Sequence, residues 1–380
     1  MLDRAAILTL TACVAVVGSN SLVFSPVSKP IAAAFAGASA EDVMVSAALF
    51  GLGTALSALV LAPQVDRIGA RRALGRALGL MALALVVTGL APALWVVWGA
   101  QAVAGVAAGV ILPACYTLAA QIAPKGRESE VLGYVLTGWT ISMVAGVSLS
   151  AVLADLVHWR AIFAVLAFAT LAAFAVARGL PSGGVSTMAA LSPLRALGIP
   201  GVSRGLFLCA GFMIAFYGLY GYLGAHIAGA LGYSAGWAGL ATLAYGVGFG
   251  AAAMVARQID RIGAGRVGPV LFSILSGIYL VLSVAAGGLA TLIAACALWG
   301  FVNHLALNLI VARLTAIAPE RRGAILGLNS AVTYLCVFVG TLGFGPVYAA
   351  YGWPVCAVLG AVAIAACAVA TLFDRRVVSA

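Results

Sequence analysis

The pentapeptide Asp-Arg-Ile-Gly-Ala occupies residues 66–70 and returns unchanged at residues 260–264, an offset of 194 residues. Further matches keep this spacing, to within one residue, and the same order along the chain. Because the offset is about half of the 380 residues, the sequence predicts two copies of one unit in parallel duplication. The supporting matches are Ile-Ala-Pro at 122–124 and 317–319, Leu-Gly at 132–133 and 326–327, and Trp159 with Trp353.

The composition places both copies in a membrane. Hydrophobic residues make up 64% of the chain and charged residues only 8%, whereas a soluble domain is about a quarter charged. Each membrane-spanning helix needs about 20 apolar residues. The sequence therefore predicts an all-α integral membrane protein whose twelve transmembrane helices form two six-helix bundles. The predicted spans are 5–27, 43–65, 72–91, 94–122, 129–155, 160–179, 202–229, 235–257, 267–288, 290–317, 322–348 and 352–373.

The basic residues mark one side of that membrane. The chain has 20 Lys and Arg against 10 Asp and Glu, a formal charge of +10. With a cytoplasmic N-terminus, 18 of the 20 fall on the cytoplasmic side and only Lys29 and Arg160 fall on the other. This is the pattern of the positive-inside rule. The charge therefore predicts that both termini are cytoplasmic, and it argues against a nucleic-acid partner.

Turn-forming residues indicate where the two copies are joined. Pro, Ser and Gly are concentrated at 180–201, which is typical of a solvated connection. We therefore expect an N-terminal six-helix bundle at 1–179, a cytoplasmic linker at 180–201 and a C-terminal six-helix bundle at 202–380. A small-residue triplet at 38–40 resembles a signal-peptide cleavage site. It lies far beyond the first apolar run, so we expect that run to be an uncleaved helix.

Motifs of enzymes and metal sites are missing from the sequence. It has no P-loop, which argues against an ATP-driven pump, and no HExxH or CxxC motif. Its seven Cys all lie within apolar runs without metal-ligand spacing. We expect no enzyme activity, no cofactor and no metal.

The first pentapeptide belongs to a longer motif. Residues 62–72 resemble the signature G-x-L-A-D-R-x-G-R-R, which joins helices 2 and 3 in the major facilitator superfamily. Residues 146–150 and 158–163 are similar to a pattern in arabinose-efflux-permease-like members of the drug/proton antiporter group. The likeness continues through 298–330. It implies a secondary transporter that works by alternating access and exports a small organic solute in exchange for protons.

Two positions depart from the patterns of that group. Ser148 stands where its helix 5 signature carries Pro, and Gln101 stands where its helix 4 pattern R-x-x-Q-G carries Arg. The resemblance associates that Arg with proton coupling. Proton coupling is therefore expected from the resemblance, although this chain lacks the Arg that usually accompanies it.

The charged residues of the two pentapeptides are candidates for a gate. The resemblance implies that Asp66 accepts hydrogen bonds from the start of helix 11, and Asp260 from the start of helix 5, where helix dipoles favour negative charge. Arg67, Arg71 and Arg261 would add ion pairs that break when the gate opens. The alternative is that these loops are solvated and only set the topology.

The predicted helix centres contain no Asp, Glu, Lys or Arg. Buried charges in a membrane are costly and usually functional, so a permanently charged substrate would lack a counter-charge. We expect a neutral, zwitterionic or weakly polar solute, bound by amides, hydroxyls and aromatic rings. The candidate substrate-binding residues are Asn20, Gln101, Tyr116, Phe216, Tyr217, Tyr220, Trp299, Asn303, His304, Asn308, Asn329 and Tyr334.

Helix 10 holds the best-placed titratable group. His304 lies near mid-depth and one turn before Asn308, and an imidazole exchanges protons near neutral pH. It is our candidate for proton coupling, and the alternative is a structural hydrogen bond to a neighbouring helix. Tyr222 and His226 lie near the outer end of helix 7, where we expect them to be interfacial anchors.

The expected function is export of a small organic solute through a bacterial inner membrane. The partners would be the solute, the lipid bilayer and protons, and the protein would be a monomer. A facilitator or importer of a neutral nutrient or nucleobase-like solute is the alternative within this class. A transporter-like membrane receptor is the alternative from another class.

Overall fold

The described part of the chain is helical throughout. No residue of that part lies in a strand, and twelve of its helices are long and apolar enough to cross a membrane. This confirms the predicted all-α class and the twelve membrane helices. The computed structural model describes residues 3–61, 65, 68–124, 127–180, 193–262, 264–318 and 321–378, with the backbone alone at 129, 256–262, 264–266 and 373–378.

The predicted spans coincide with the observed helices to within five residues at every end. The agreement follows from the apolar composition, since charged and turn-forming residues separate the spans. In chain order the helices are α1 (Arg4–Leu22, continued by Phe24–Ala32), α2 (Ala40–Val60), α3 (Ala70–Leu90), α4 (Leu94–Ile122), α5 (Glu128–Ile141, Ser142–Val147 and Ser148–Leu156), α6 (Trp159–Ala177), α7 (Val202–Gly221, continued by Leu223–Gly229), α8 (Ala235–Ile262), α9 (Ala264–Ala285), α10 (Leu289–Ile317), α11 (Arg322–Tyr351) and α12 (Trp353–Val378).

Three of these helices are irregular. α1 is interrupted at Val23 and α7 at Tyr222, whereas the sequence predicts each as one continuous span. Pro26 falls in the first turn of the second α1 segment, where a missing N–H breaks no helical bond. Pro26 therefore does not stop the segment, which also accommodates Pro30 and ends at Ala32. In α5, residues Ser142–Val147 form a π-helical turn, a feature frequent at functional sites.

Close helix contacts repeat between the two halves of the chain. At Gly105 of α4 an added Cβ would collide with the carbonyl oxygen of Phe50 in α2. At Gly300 of α10 it would collide with the carbonyl oxygen of Tyr245 in α8. Both members of the second pair lie 195 residues after those of the first. Small residues let membrane helices approach this closely, and here the same approach is built twice.

In the described part of the chain, the first six helices contact the last six at several places. α2 packs along α11, and α5 packs along α8. The segment Phe24–Ala32 of α1 packs against the segment Leu223–Gly229 of α7. We call the face at which α1 ends and α2 begins the outer face, and the opposite face the inner face. The α1–α7 contact lies toward the outer face.

Candidate functional site

Three of the predicted binding residues on α7 and Trp299 of α10 lie in one group of aromatic rings. The ring centroid of Phe216 lies 5.5 Å from that of Trp299, 4.9 Å from that of Tyr217 and 5.4 Å from that of Tyr220. All four side chains are buried. Such walls suit a flat organic ligand, because rings and apolar surface stack without a charge. We call these residues, together with Tyr245, the aromatic cluster.

Tyr245 of α8 is a member of this cluster that the sequence reasoning missed. Its ring lies 5.0 Å from Trp299 and 5.5 Å from Phe216, and its hydroxyl accepts a hydrogen bond of 2.9 Å from Asn303 Nδ2. The available signal was its position 195 residues after Phe50, on the helix equivalent to α2. The bond fixes the Asn303 side chain and leaves its Oδ1 atom buried without a protein partner.

His304 lies beside this cluster on the same helix. Its ring packs edge-on against Phe249 of α8, with 4.4 Å between the ring centroids. Nδ1 is buried and has no hydrogen-bond partner in the protein. Asn308, one turn further toward the inner face, is exposed. The predicted pair is therefore split between a half-buried imidazole and an exposed amide.

In the first half of the chain the predicted polar residues form a buried chain of hydrogen bonds. Asn20 Nδ2 of α1 donates to Gln101 Oε1 of α4 at 2.8 Å, and Gln101 Nε2 donates to Thr88 Oγ1 of α3 at 3.0 Å. Both amides are fully buried. Gln101 thus joins three helices with neutral groups at the position where the resembling antiporters carry Arg. Tyr116, 15 residues further along α4, is half-buried and is not part of this chain of hydrogen bonds.

α11 contributes two further buried polar groups. Asn329 and Tyr334 are buried, and the Tyr334 ring lies 6.4 Å from that of Phe50 on α2, across the contact between the two halves. Neither Asn329 Oδ1 nor the Tyr334 hydroxyl has a partner in the protein.

Of the ten buried side-chain polar atoms without a partner in the described part of the chain, six belong to predicted residues. A buried polar group without a hydrogen bond is unfavourable, and a water or ligand is the usual remedy. In the described part of the chain, no Asp, Glu, Lys or Arg side chain is buried. Any buried recognition by these side chains would therefore use neutral donors, acceptors and rings. The predicted residues with such an atom are Asn20, Trp299, Asn303, His304, Asn329 and Tyr334.

A small cavity marks the junction of the two halves. It encloses about 10 Å³, which is about the room for one water molecule. It is therefore too small for an organic solute in this conformation. Its lining includes Ser21 and Ser25 of α1, Met44 of α2, Tyr217 and Tyr220 of α7, and Thr341 of α11.

The structure describes only some of the predicted gate residues. Asp66 and Arg67 lie outside the described residues. Asp260 and Arg261 belong to the end of α8, where only the backbone is described. Arg71 at the start of α3 donates hydrogen bonds to the carbonyl oxygens of Leu180 at 3.0 Å and Arg178 at 3.5 Å. It therefore holds the residues that follow α6, within the same half of the chain.

The expectation of interfacial anchors on α7 is wrong. Tyr222 is buried, donates its hydroxyl to the carbonyl oxygen of Thr341 at 2.7 Å, and stacks on Tyr348. His226 is buried against Trp353, with its Nε2 atom 2.9 Å from the carbonyl oxygen of Ala286. The break at Tyr222 turns both rings into the protein, a local change that hydrophobic patterns do not reveal.

Comparisons with known proteins agree with this architecture. The sequence model of the Major Facilitator Superfamily matches residues 9–340. The uncharacterized MFS-type transporter YwfA of Bacillus subtilis (strain 168) is 27% identical over 358 residues, which cover 91% of this chain and 86% of that protein. YbcL of the same organism, also an uncharacterized MFS-type transporter, is 25% identical over 79% of this chain and 77% of its own length. A chloramphenicol resistance protein of Streptomyces lividans is 29% identical over 168 residues, 42% of this chain and 43% of its own length. The chain is therefore a multi-pass membrane protein that belongs to the major facilitator superfamily of transporters.

Proposed function

We propose that this transporter exports a small neutral, zwitterionic or weakly polar organic solute by alternating access, in exchange for protons. The observation that carries the proposal is the set of buried, unpartnered polar atoms on six predicted residues, in a described interior without a buried charge. Such atoms bind a solute by hydrogen bonds alone. The small volume of the cavity between the halves supports a cycle in which the halves must separate before the solute binds there.

The aromatic cluster and the polar residues would share the recognition. Phe216 and Trp299 provide faces on which an aromatic or apolar part of the solute stacks. Asn303, held by Tyr245, would accept a hydrogen bond from the solute through Oδ1. In the other half, Asn20 of α1 offers a free acceptor, and Tyr334 of α11 offers a hydroxyl beside the contact with α2. A solute that bridges the two sets would hold the halves together.

His304 is the group that we propose to couple export to protons. Its unpartnered Nδ1 atom is available to a proton or to the solute, and its ring is fixed against Phe249. When the solute leaves toward one face and a proton enters, the imidazole would carry the charge through the return step. Gln101 cannot take this role, because an amide does not titrate.

The basic residues support a topology with both termini cytoplasmic in the bacterial inner membrane. Within that topology we propose the gate described for Asp66, Arg67, Asp260 and Arg261, and a monomeric protein divided at the linker 180–201. The name of the Streptomyces relative, a chloramphenicol resistance protein, favours export over import. A facilitator or importer of a neutral nutrient remains the second candidate, because neutral side chains also suit nutrients.

The experiment is transport of labelled chloramphenicol and a panel of neutral solutes in proteoliposomes, with and without a pH gradient. We expect at least one solute to move against its own concentration gradient when protons flow down theirs in the opposite direction. His304→Gln should abolish the dependence on the pH gradient, whereas His158→Gln should retain it. His158 is exposed and matched in residue type, and its Nδ1 accepts the Arg160 amide at the start of α6.

Flux that ignores the pH gradient would refute proton coupling and leave a facilitator. No flux for any solute of the panel would favour the transporter-like receptor.

A further inference from the structure

The two halves of the chain are joined at the outer face by polar contacts that the sequence reasoning did not anticipate. Asp155, at the end of α5, accepts hydrogen bonds from the first two amides of α8. Its Oδ1 lies 3.1 Å from Ala235 N, and its Oδ2 lies 2.6 Å from Gly236 N. The carboxylate of one half thus caps a helix of the other, where free amides and the helix dipole favour negative charge.

A second contact of the same kind joins α1 to α7. Ser25 Oγ donates to the carbonyl oxygen of Tyr220 at 2.5 Å and lies 3.5 Å from the amide of Gly224, on either side of the break at Tyr222. At Gly224 an added Cβ would collide with the carbonyl oxygen of Ser25. Ser25 and Tyr220 also line the small cavity between the halves. This contact is therefore part of the wall of that cavity.

We propose that Asp155 and Ser25 form an outer latch, a pair of positioning residues that hold the outer face closed in the transport cycle. The proposal rests on the proposed function, because it assigns a role within alternating access. Each contact exists only while α5 touches α8 and α1 touches α7. When the outer face opens, the first turn of α8 loses its carboxylate and the α7 carbonyl loses its hydroxyl donor. The latch thus stabilises the closed state and no other.

The glycines of α8 explain why a carboxylate fits at this place. An added Cβ at Gly236 would lie 2.8 Å from Asp155 Oδ2, and one at Gly239 would lie 2.7 Å from the Cβ of Ala151. α5 and α8 therefore approach closely at their outer ends. Gly236→Ala should weaken the latch from the α8 side without removing a charge.

The test is the distance between two spin labels on the outer face. It is measured by double electron–electron resonance in nanodiscs without solute. The labels are placed at Ala36→Cys and Gly287→Cys, which are exposed and lie in different halves. The seven native cysteines are buried, and the chain without added cysteines gives the background. Because no solute or gradient is present, a failure of the export proposal does not affect this readout.

Removing a helix N-cap acceptor changes an equilibrium about fivefold. We therefore expect Asp155→Ala to raise the ratio of open to closed distances about fivefold, and Gly236→Ala to act in the same direction. Asp155→Ala combined with Ser25→Ala should raise it about 25-fold, which keeps the effect measurable if the parent is almost fully closed.

The matched control is Asp42→Ala. Asp42 is also a carboxylate at a helix start on the outer face, but its Oδ2 accepts from Ser39 within its own segment. Its removal should leave the ratio unchanged. An unchanged ratio in the double variant, or an equal change in Asp42→Ala, would overturn the latch.

Discussion

The repeated contact between neighbouring helices gives a prediction whose size follows from the structure. Gly105→Ala would place a methyl group against the Phe50 carbonyl oxygen, and Gly300→Ala would do the same against Tyr245. A backbone carbonyl cannot rotate aside, so each helix pair must separate. Such overpacking costs about 1–3 kcal/mol, and the better helix propensity of Ala returns at most about 1 kcal/mol. We expect each variant to lose about 1–2 kcal/mol of the free energy of unfolding, and the two losses to be similar.

The assay is thermal unfolding of the purified protein in detergent, followed by tryptophan fluorescence. For a chain of this length, a loss of this size lowers the apparent Tm by about 1–3 °C. The control is Gly99→Ala, on the same α4 helix, where an added Cβ has no atom within 4 Å. That variant should melt at the parent temperature or slightly above it. If Gly105→Ala and Gly300→Ala were as stable as Gly99→Ala, the close packing derived for both halves would be refuted.

Three further results are expected. Tyr245→Phe removes the partner of Asn303 Nδ2, so it should lower the free energy of unfolding by about 0.5–1.5 kcal/mol. In transport assays it should raise KM more than it lowers kcat. An unchanged KM would show that Asn303 does not take part in recognition. Asn20→Ala leaves Gln101 Oε1 buried without its donor, so it should lower the apparent Tm by more than Ser39→Ala, which removes an exposed cap; an equal effect would count against the buried chain. A reporter enzyme that is active only outside the cytoplasm should be inactive when fused after residue 380 and active when inserted at Ala36; the reverse pattern would overturn the topology.

The membrane helices could be predicted from sequence because one property decides them. A stretch of about 20 apolar residues has few alternatives to a helix across the bilayer. The chain separates such stretches with Arg, Pro and Gly, and the observed ends follow these residues closely. The duplication could be recognised because the same five residues recur unchanged about half a chain apart.

The geometry inside the bundle was less predictable. The breaks at Val23 and Tyr222 lie beside the contact between α1 and α7, whose residues are more than 190 positions apart in sequence. Because of the break in α7, His226 packs on Trp353 instead of lying at the interface. Asp155 carried no signal in sequence, because its partners are backbone amides of another helix. The hydrophobic pattern of the sequence identifies which polar residues lie inside the membrane helices. The packing of the helices decides which of these residues contact each other.

The candidate site shows the same division. Amides and aromatics on α7 and α10 were found because polar residues are rare in apolar helices. Tyr245 was missed because its only sequence signal was the repeat position of Phe50, which was not itself a candidate. Its link to Asn303 and Trp299 follows from the close approach of α8 and α10 at Gly300.

Probes of different charge, compared in one proteoliposome preparation, test most directly whether the interior, uncharged in its described part, selects a neutral solute. We predict pH-gradient-dependent movement of labelled chloramphenicol or another neutral solute of the panel, and no movement of the permanently cationic dye ethidium above the level of protein-free liposomes. Transport of ethidium in preference to every neutral solute would contradict the account.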